Sequence, residues 1–101
     1  MTINHGFHAT MTAQPGRGDE LVNLLLDAPS LDNDDCVVFL VGRSAGNPDV
    51  VHVTEGWTSE AVHSAFFASA AARAFTAEVQ LLVTGDSHYE DLVPVGGKAA
   101  F

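Results

Sequence analysis

An α+β domain with an antiparallel sheet of four strands is what this sequence predicts, on three observations. Stretches whose apolar residues recur at every second position alternate with stretches in which they recur at every third and fourth. The β-rich runs Cys36 to Val41 and Val50 to Trp57 are separated by a stretch, Ser44 to Asp49, dense in turn formers, which makes them an antiparallel hairpin. The 101 residues, 47% of them hydrophobic, supply one core of ordinary size and leave no length for a second domain.

The elements follow in order. Phe7, Ala9, Met11 and Ala13 alternate with His8, Thr10, Thr12 and Gln14, so the first strand has one apolar face. Pro15-Gly16 ends it. Arg17 to Glu20 then leads into Leu21, Val22, Leu24, Leu25 and Ala28, a helix with acids in its first turn that closes at Pro29. A polar loop, Leu31 to Asp35, precedes Cys36 to Val41, which runs apolar without alternation and so reads as a central strand covered on both faces. Ser44 to Asp49 is the hairpin turn, and Val50 to Trp57 is the third strand.

Thr58 or Ser59 can cap a second helix running from Glu60 through Arg73, with Val62, Phe66 and Phe67 inward. Phe75, Val79, Leu82 and Val83 keep helical spacing as far as Gly85, although Glu78 to Val83 has nearly equal claim to be a strand. The last strand is expected from Ser87 to Val95, with Gly96-Gly97 and a short tail after it. Strand, helix, strand, strand, helix, strand is the split βαβ order of a ferredoxin-like fold, βαββαβ, with both helices on one face of the sheet. The sheet's other face then needs a cover. A second copy of the chain, packed sheet against sheet as a homodimer, is the economical one, and the chain's own C-terminal tail is the alternative.

Four Lys and Arg stand against 13 Asp and Glu, a formal net charge of -9, which argues against nucleic acid and anionic membranes as partners. A single cysteine, Cys36, permits no intrachain disulfide and no cysteine-based zinc site. The start, Met1 to Gly6, lacks the basic and apolar parts of a secretory signal, and no run of about 18 apolar residues occurs, so the expected location is cytoplasmic.

The candidate site residues gather on the third strand and second helix. Trp57 shares a strand face with Val51, Val53 and Glu55. If that face looks toward the helices, its indole can wall a pocket and stack on a planar ligand; otherwise it is a core tryptophan. Glu55 would point into the same space, where burial raises a carboxylate pKa and makes it a base, the competing fate being an ion pair or solvent. His63, one turn before Phe67, can take a phenolic proton near neutral pH, unless it lies on the surface. Phe66, Phe67 and Phe75 read as core or pocket lining. His8, on the polar face of the first strand, is a substrate-contact candidate that could equally face a dimer interface or water, as could His52 on the third strand. No pair of histidines has the close spacing of a helical metal motif, and Asp32 to Asp35 lacks the Gly and Glu of a calcium loop, so no metal is expected.

Four stretches taken together carry a family resemblance: Thr12 to Leu21 after the first strand, Glu55-Gly56-Trp57, Ser59-Glu60-Ala61 and Pro94-Val95-Gly96-Gly97. In these the chain resembles the antibiotic biosynthesis monooxygenase family, dimeric α+β barrel proteins that include quinol monooxygenases. The resemblance implies a cofactor-independent oxygenase whose pocket, between sheet and helices, binds a small aromatic molecule such as a quinol or a polyketide-like anthrone. Molecular oxygen reacts there with the substrate anion, and the protein supplies desolvation, deprotonation and orientation without metal or flavin. Many relatives carry a histidine on the second helix about nine residues after the tryptophan, and haem-degrading members use it as an iron ligand. Phe66 stands there in this chain, and His8, Ala9 and Thr10 occupy the region of those members' first-strand asparagine, so haem degradation is not implied. Beside the oxygenase stand two alternatives, a non-catalytic small-molecule-binding or stress-response protein on the same scaffold, and a dimerisation module without a cavity.

Overall fold

The computed structural model describes residues 2–98. Its elements are β1 (His5–Thr12), α1 (Gly18–Leu25), a 3-10 turn (Pro29–Asp32), β2 (Cys36–Arg43), β3 (Val50–Trp57), α2 (Glu60–Phe67), α3 (Ala70–Leu82) and β4 (His88–Leu92). The strands form one sheet in the order β2-β3-β1-β4, antiparallel at every junction, with the helices on one face: the expected ferredoxin-like α+β fold. The end of the expected tail, residues 99–101, lies outside the described residues.

Strand alternation decides which face is which. Ala9 is paired with Val53 and Met11 with Val51, and these four side chains are buried against Leu21 and Leu25 of α1 and Val79 and Leu82 of α3. The opposite face carries His8, Thr10, His52 and Thr54. There His8 Nδ1 lies 3.3 Å from Thr54 Oγ1, and Thr10 Oγ1 lies 3.3 Å from His52 Nδ1. This outer face is thus polar at its centre, with apolar Val38 and Leu40 at one side and Leu92 at the other.

Several expectations are corrected. Cys36 to Val41 is not central: β2 pairs with β3 alone among the described strands and forms the sheet edge, and none of its residues is fully buried. The long second helix divides in two, because the hydroxyl of Ser69 accepts a hydrogen bond from the Ala72 N–H at 3.2 Å and starts α3, just as Ser59 accepts from the Val62 N–H at 3.1 Å and starts α2. The stretch between strand and helix propensity is helical through Leu82, since Ala72, Val79 and Leu82 form one buried stripe. The polar loop after Pro29 contains the 3-10 turn, and the last strand ends at Leu92.

The turn before α1 is fixed by a carboxylate. Asp49 accepts hydrogen bonds from the backbone N–H groups of Gly16, at 3.0 Å, and Gly18, at 2.9 Å, which ties the helix start to the β2–β3 turn. Arg43 adds a hydrogen bond from Nε to the Pro48 carbonyl at 2.7 Å and an ion pair to Asp19 at 2.7 Å. No helix among the described residues is long and apolar enough to cross a membrane.

Candidate functional site

Between the inner face of the sheet and helices α2 and α3 lies a cavity of about 330 Å³. Alternation sends Phe7, Ala9 and Met11 of β1, Phe39 of β2, Val53 and Glu55 of β3 and Tyr89 of β4 into it. The helices close it with His63, Phe66 and Phe67 of α2 and Ala72, Phe75, Thr76 and Val79 of α3. Small Ala9 and Ala72 line the cavity among large aromatics, and this leaves space where a close-packed core would have none. Phe67, 50% exposed, sits at the mouth.

One wall is polar and organised. The indole N–H of Trp57 donates to Glu55 Oε1 at 2.8 Å, a contact that alternation permits because both residues point inward two positions apart. His63 Nε2 lies 3.9 Å from the same oxygen. On its far side His63 Nδ1 shares a hydrogen bond with His5 Nε2 at 3.0 Å, and His5 Nε2 lies 3.4 Å from Asp91 Oδ1. A line of polar groups therefore runs from exposed Asp91, through two buried imidazoles, to the carboxylate in the cavity wall.

Burial raises the pKa of Glu55, and the Trp57 hydrogen bond opposes part of the rise. Burial also lowers the pKa of His63, helped by neighbouring His5 and opposed by Asp91 and Glu60. At neutral pH the imidazole is held in its neutral form. The apolar surroundings push the Cys36 thiol up to about 12, with the charge of Glu55 adding to the effect.

The structure brings His63, Glu55, Phe66 and Phe67 together around one space. Trp57 stands behind that wall. It is wholly buried, with its ring centroid 4.9 Å from that of His63 and 5.1 Å from that of Phe66, and it positions Glu55 while the surface available to a ligand comes from the residues in front of it. His8 does not belong to the cavity: one residue out of phase with Phe7 and Ala9, it projects from the opposite face toward Thr54 and stacks near His52 at 5.6 Å. The sequence reading missed His5 and Asp91. His5 lies two residues before Phe7 on the same face, a signal that extending the alternation by one step would have caught. His5, His63 and Asp91 hold ligand-type atoms within 4.8 Å of one another, the grouping among the described residues best suited to a cation.

The family model for antibiotic biosynthesis monooxygenase matches residues 5–78. A crystal structure of a candidate antibiotic biosynthesis monooxygenase from Chloroflexus aurantiacus J-10-fl is similar at 28% identity and a TM-score of 0.81, over 94% of this chain and 96% of that one. Rv0793 from Mycobacterium tuberculosis superposes with a TM-score of 0.81 at 20% identity, over 94% of this chain and 98% of its own. PA3566 from Pseudomonas aeruginosa does so with a TM-score of 0.79 at 19% identity, over 95% and 98%. No curated protein matches the sequence. The family match runs from β1 into α3, over most of the chain, and the fold agrees with it: the chain belongs to the antibiotic biosynthesis monooxygenase family.

Proposed function

We propose that the protein is a cofactor-independent monooxygenase acting on a small aromatic hydroxyl compound, a quinol or a polyketide-like anthrone, bound in the cavity beside His63 and Glu55. The observation that carries this reading is a carboxylate and a neutral imidazole side by side in the wall of an otherwise aromatic and aliphatic cavity. Phe7, Phe39, Phe66, Phe75 and Tyr89 supply flat apolar surface for a planar ring. Glu55 takes a proton from the substrate, and His63 Nε2 faces the carboxylate that receives it. The resulting anion gives an electron to molecular oxygen, and recombination forms a C–O bond. Loss of water from the peroxide leaves a carbonyl, so that a CH2 group and O2 become C=O and H2O with all four electrons that reduce O2 taken from the substrate carbon. The protein's part is to strip water from the anion and hold it in place.

Oxygen uptake with 1,8-dihydroxyanthrone tests this. Turnover above the protein-free rate, reduced at least about tenfold in Glu55→Gln and in His63→Ala, is expected for a lost general base. Uptake equal to the blank, or indifferent to both substitutions, overturns the assignment. Ligand binding without chemistry is the second reading, favoured by the absence of a histidine at Phe66; the anthrone would then be recovered unchanged after aerobic incubation. The working form in either case is a homodimer joined through the outer sheet face, checked by sedimentation at micromolar concentration.

A further inference from the structure

The geometry points to a binding site for a divalent first-row transition metal formed by His5 of β1, His63 of α2 and Asp91 of β4. It does not depend on the oxygenase reading. The donor set is two imidazole nitrogens and one carboxylate oxygen, which suits zinc, cobalt, nickel or ferrous iron better than calcium or magnesium.

Spacing is the first argument. His5 Nε2 is 3.0 Å from His63 Nδ1 and 3.4 Å from Asp91 Oδ1. Bonds of about 2.1 Å from one metal to such ligands place neighbouring ligand atoms about 3.0 Å apart in an octahedron and about 3.4 Å apart in a tetrahedron. His5 thus already stands at polyhedron edge length from each of the other two groups, all three lie within 4.8 Å of one another, and each is held by a different regular element.

Support behind the ligands is the second argument. A metal-bound histidine normally gives its other ring N–H to a carboxylate. His63 Nε2 faces Glu55 Oε1 at 3.9 Å, and that oxygen is itself fixed by the Trp57 indole at 2.8 Å. With Nδ1 on the metal, Nε2–H points at Glu55, so a cation here also sets the tautomer of the imidazole at the cavity wall. The third argument is access. His5 and His63 are buried while the Asp91 side chain is 74% exposed, and a hollow bounded by these three, Glu60 and Phe67 leaves room on the solvent side for water to complete the coordination. The acids around it and a chain charge of -9 favour a cation.

The test uses chelator-treated, untagged full-length protein titrated with Zn²⁺ and with Co²⁺ by calorimetry, with the visible spectrum of the cobalt form as a second readout. One ion per chain with micromolar or tighter affinity, and cobalt d–d bands, are expected. Asp91→Asn, at an exposed position that leaves the fold intact, and His5→Gln should each weaken binding at least about tenfold, the loss that follows even from perturbing a ligand's support, while His52→Gln on the outer face leaves it unchanged. No saturable binding below roughly 100 µM, or binding that survives Asp91→Asn and His5→Gln together, overturns the proposal and leaves the pair as a hydrogen-bonded histidine couple. Oxygen uptake is read on the chelator-treated protein, so the two readings fail separately.

Discussion

The indole N–H of Trp57 donates to Glu55 Oε1 across 2.8 Å from a ring that is wholly buried, so the only tryptophan in the chain holds the carboxylate of the cavity wall. A buried carboxylate that loses such a donor keeps the penalty of desolvation without the compensating bond. A double-mutant cycle of Trp57→Phe and Glu55→Met, read by urea unfolding, should therefore return a coupling energy of about 1–3 kcal/mol. A coupling below about 0.5 kcal/mol, the scatter expected of independent sites, would show that the two side chains do not act as a unit.

Gly18 marks a place where backbone packing demands the absence of a side chain. A Cβ there would run into the Pro48 carbonyl oxygen, and Asp49 Oδ1, which accepts the Gly18 N–H, would stand 2.8 Å away. The obstacle is backbone and cannot swing aside. Gly18→Ala is expected to lower stability by about 1–3 kcal/mol, as overpacking does. Gly46→Ala, where nothing lies within 4 Å, should stay within about 0.5 kcal/mol of the parent. Equal midpoints for the two variants in thermal unfolding would contradict the tight seating of α1 on the β2–β3 turn.

Cys36 should be a slow nucleophile with a telling pH profile. A thiol pushed up to about 12 is ionised in only about one molecule in 10⁴ at pH 8, against about one in four for an ordinary cysteine. The greater nucleophilicity of a high-pKa thiolate recovers part of this, leaving alkylation by iodoacetamide on the order of 100-fold slower than in the urea-unfolded chain. Because the folded pKa lies above the range scanned, the rate should climb tenfold per pH unit from pH 7 to pH 10. A plateau near pH 8.5 would mean that the thiol is not desolvated.

Periodicity explains what was legible in the sequence. A period of two depends only on neighbouring residues, so the shared face of Val51, Val53, Glu55 and Trp57 could be read without knowing any pairing. The site also needed information that no local pattern carries. Asp91 reaches His5 because β4 lies beside β1 with Phe7 opposite Asp91, a register set by tertiary pairing across the length of the chain. The edge position of β2 was hidden for the same reason: an unbroken apolar run looks the same whether a second strand or a homodimer covers it. The division between α2 and α3 rests on the single hydroxyl of Ser69 inside an alanine-rich run of high helix propensity on both sides.

Filling the cavity separates the fold from its ligand. Ala72 of α3 is 3% exposed and borders the space of about 330 Å³, so a larger apolar side chain there gains neighbours that alanine leaves unused. Ala72→Leu is expected to keep or raise the melting temperature, since engineered cavity filling commonly adds about 0.5–2 kcal/mol. The same change should weaken binding of 1,8-dihydroxyanthrone at least about tenfold, a loss of about 1.4 kcal/mol. Quenching of Trp57 fluorescence reports that binding, because the indole packs against His63 and Phe66, which line the cavity. A close-packed core would answer in the opposite sense, with overpacking strain of about 1–3 kcal/mol and a lower melting temperature. Stability and binding therefore move apart if the space is a true ligand cavity and fall together if it is not.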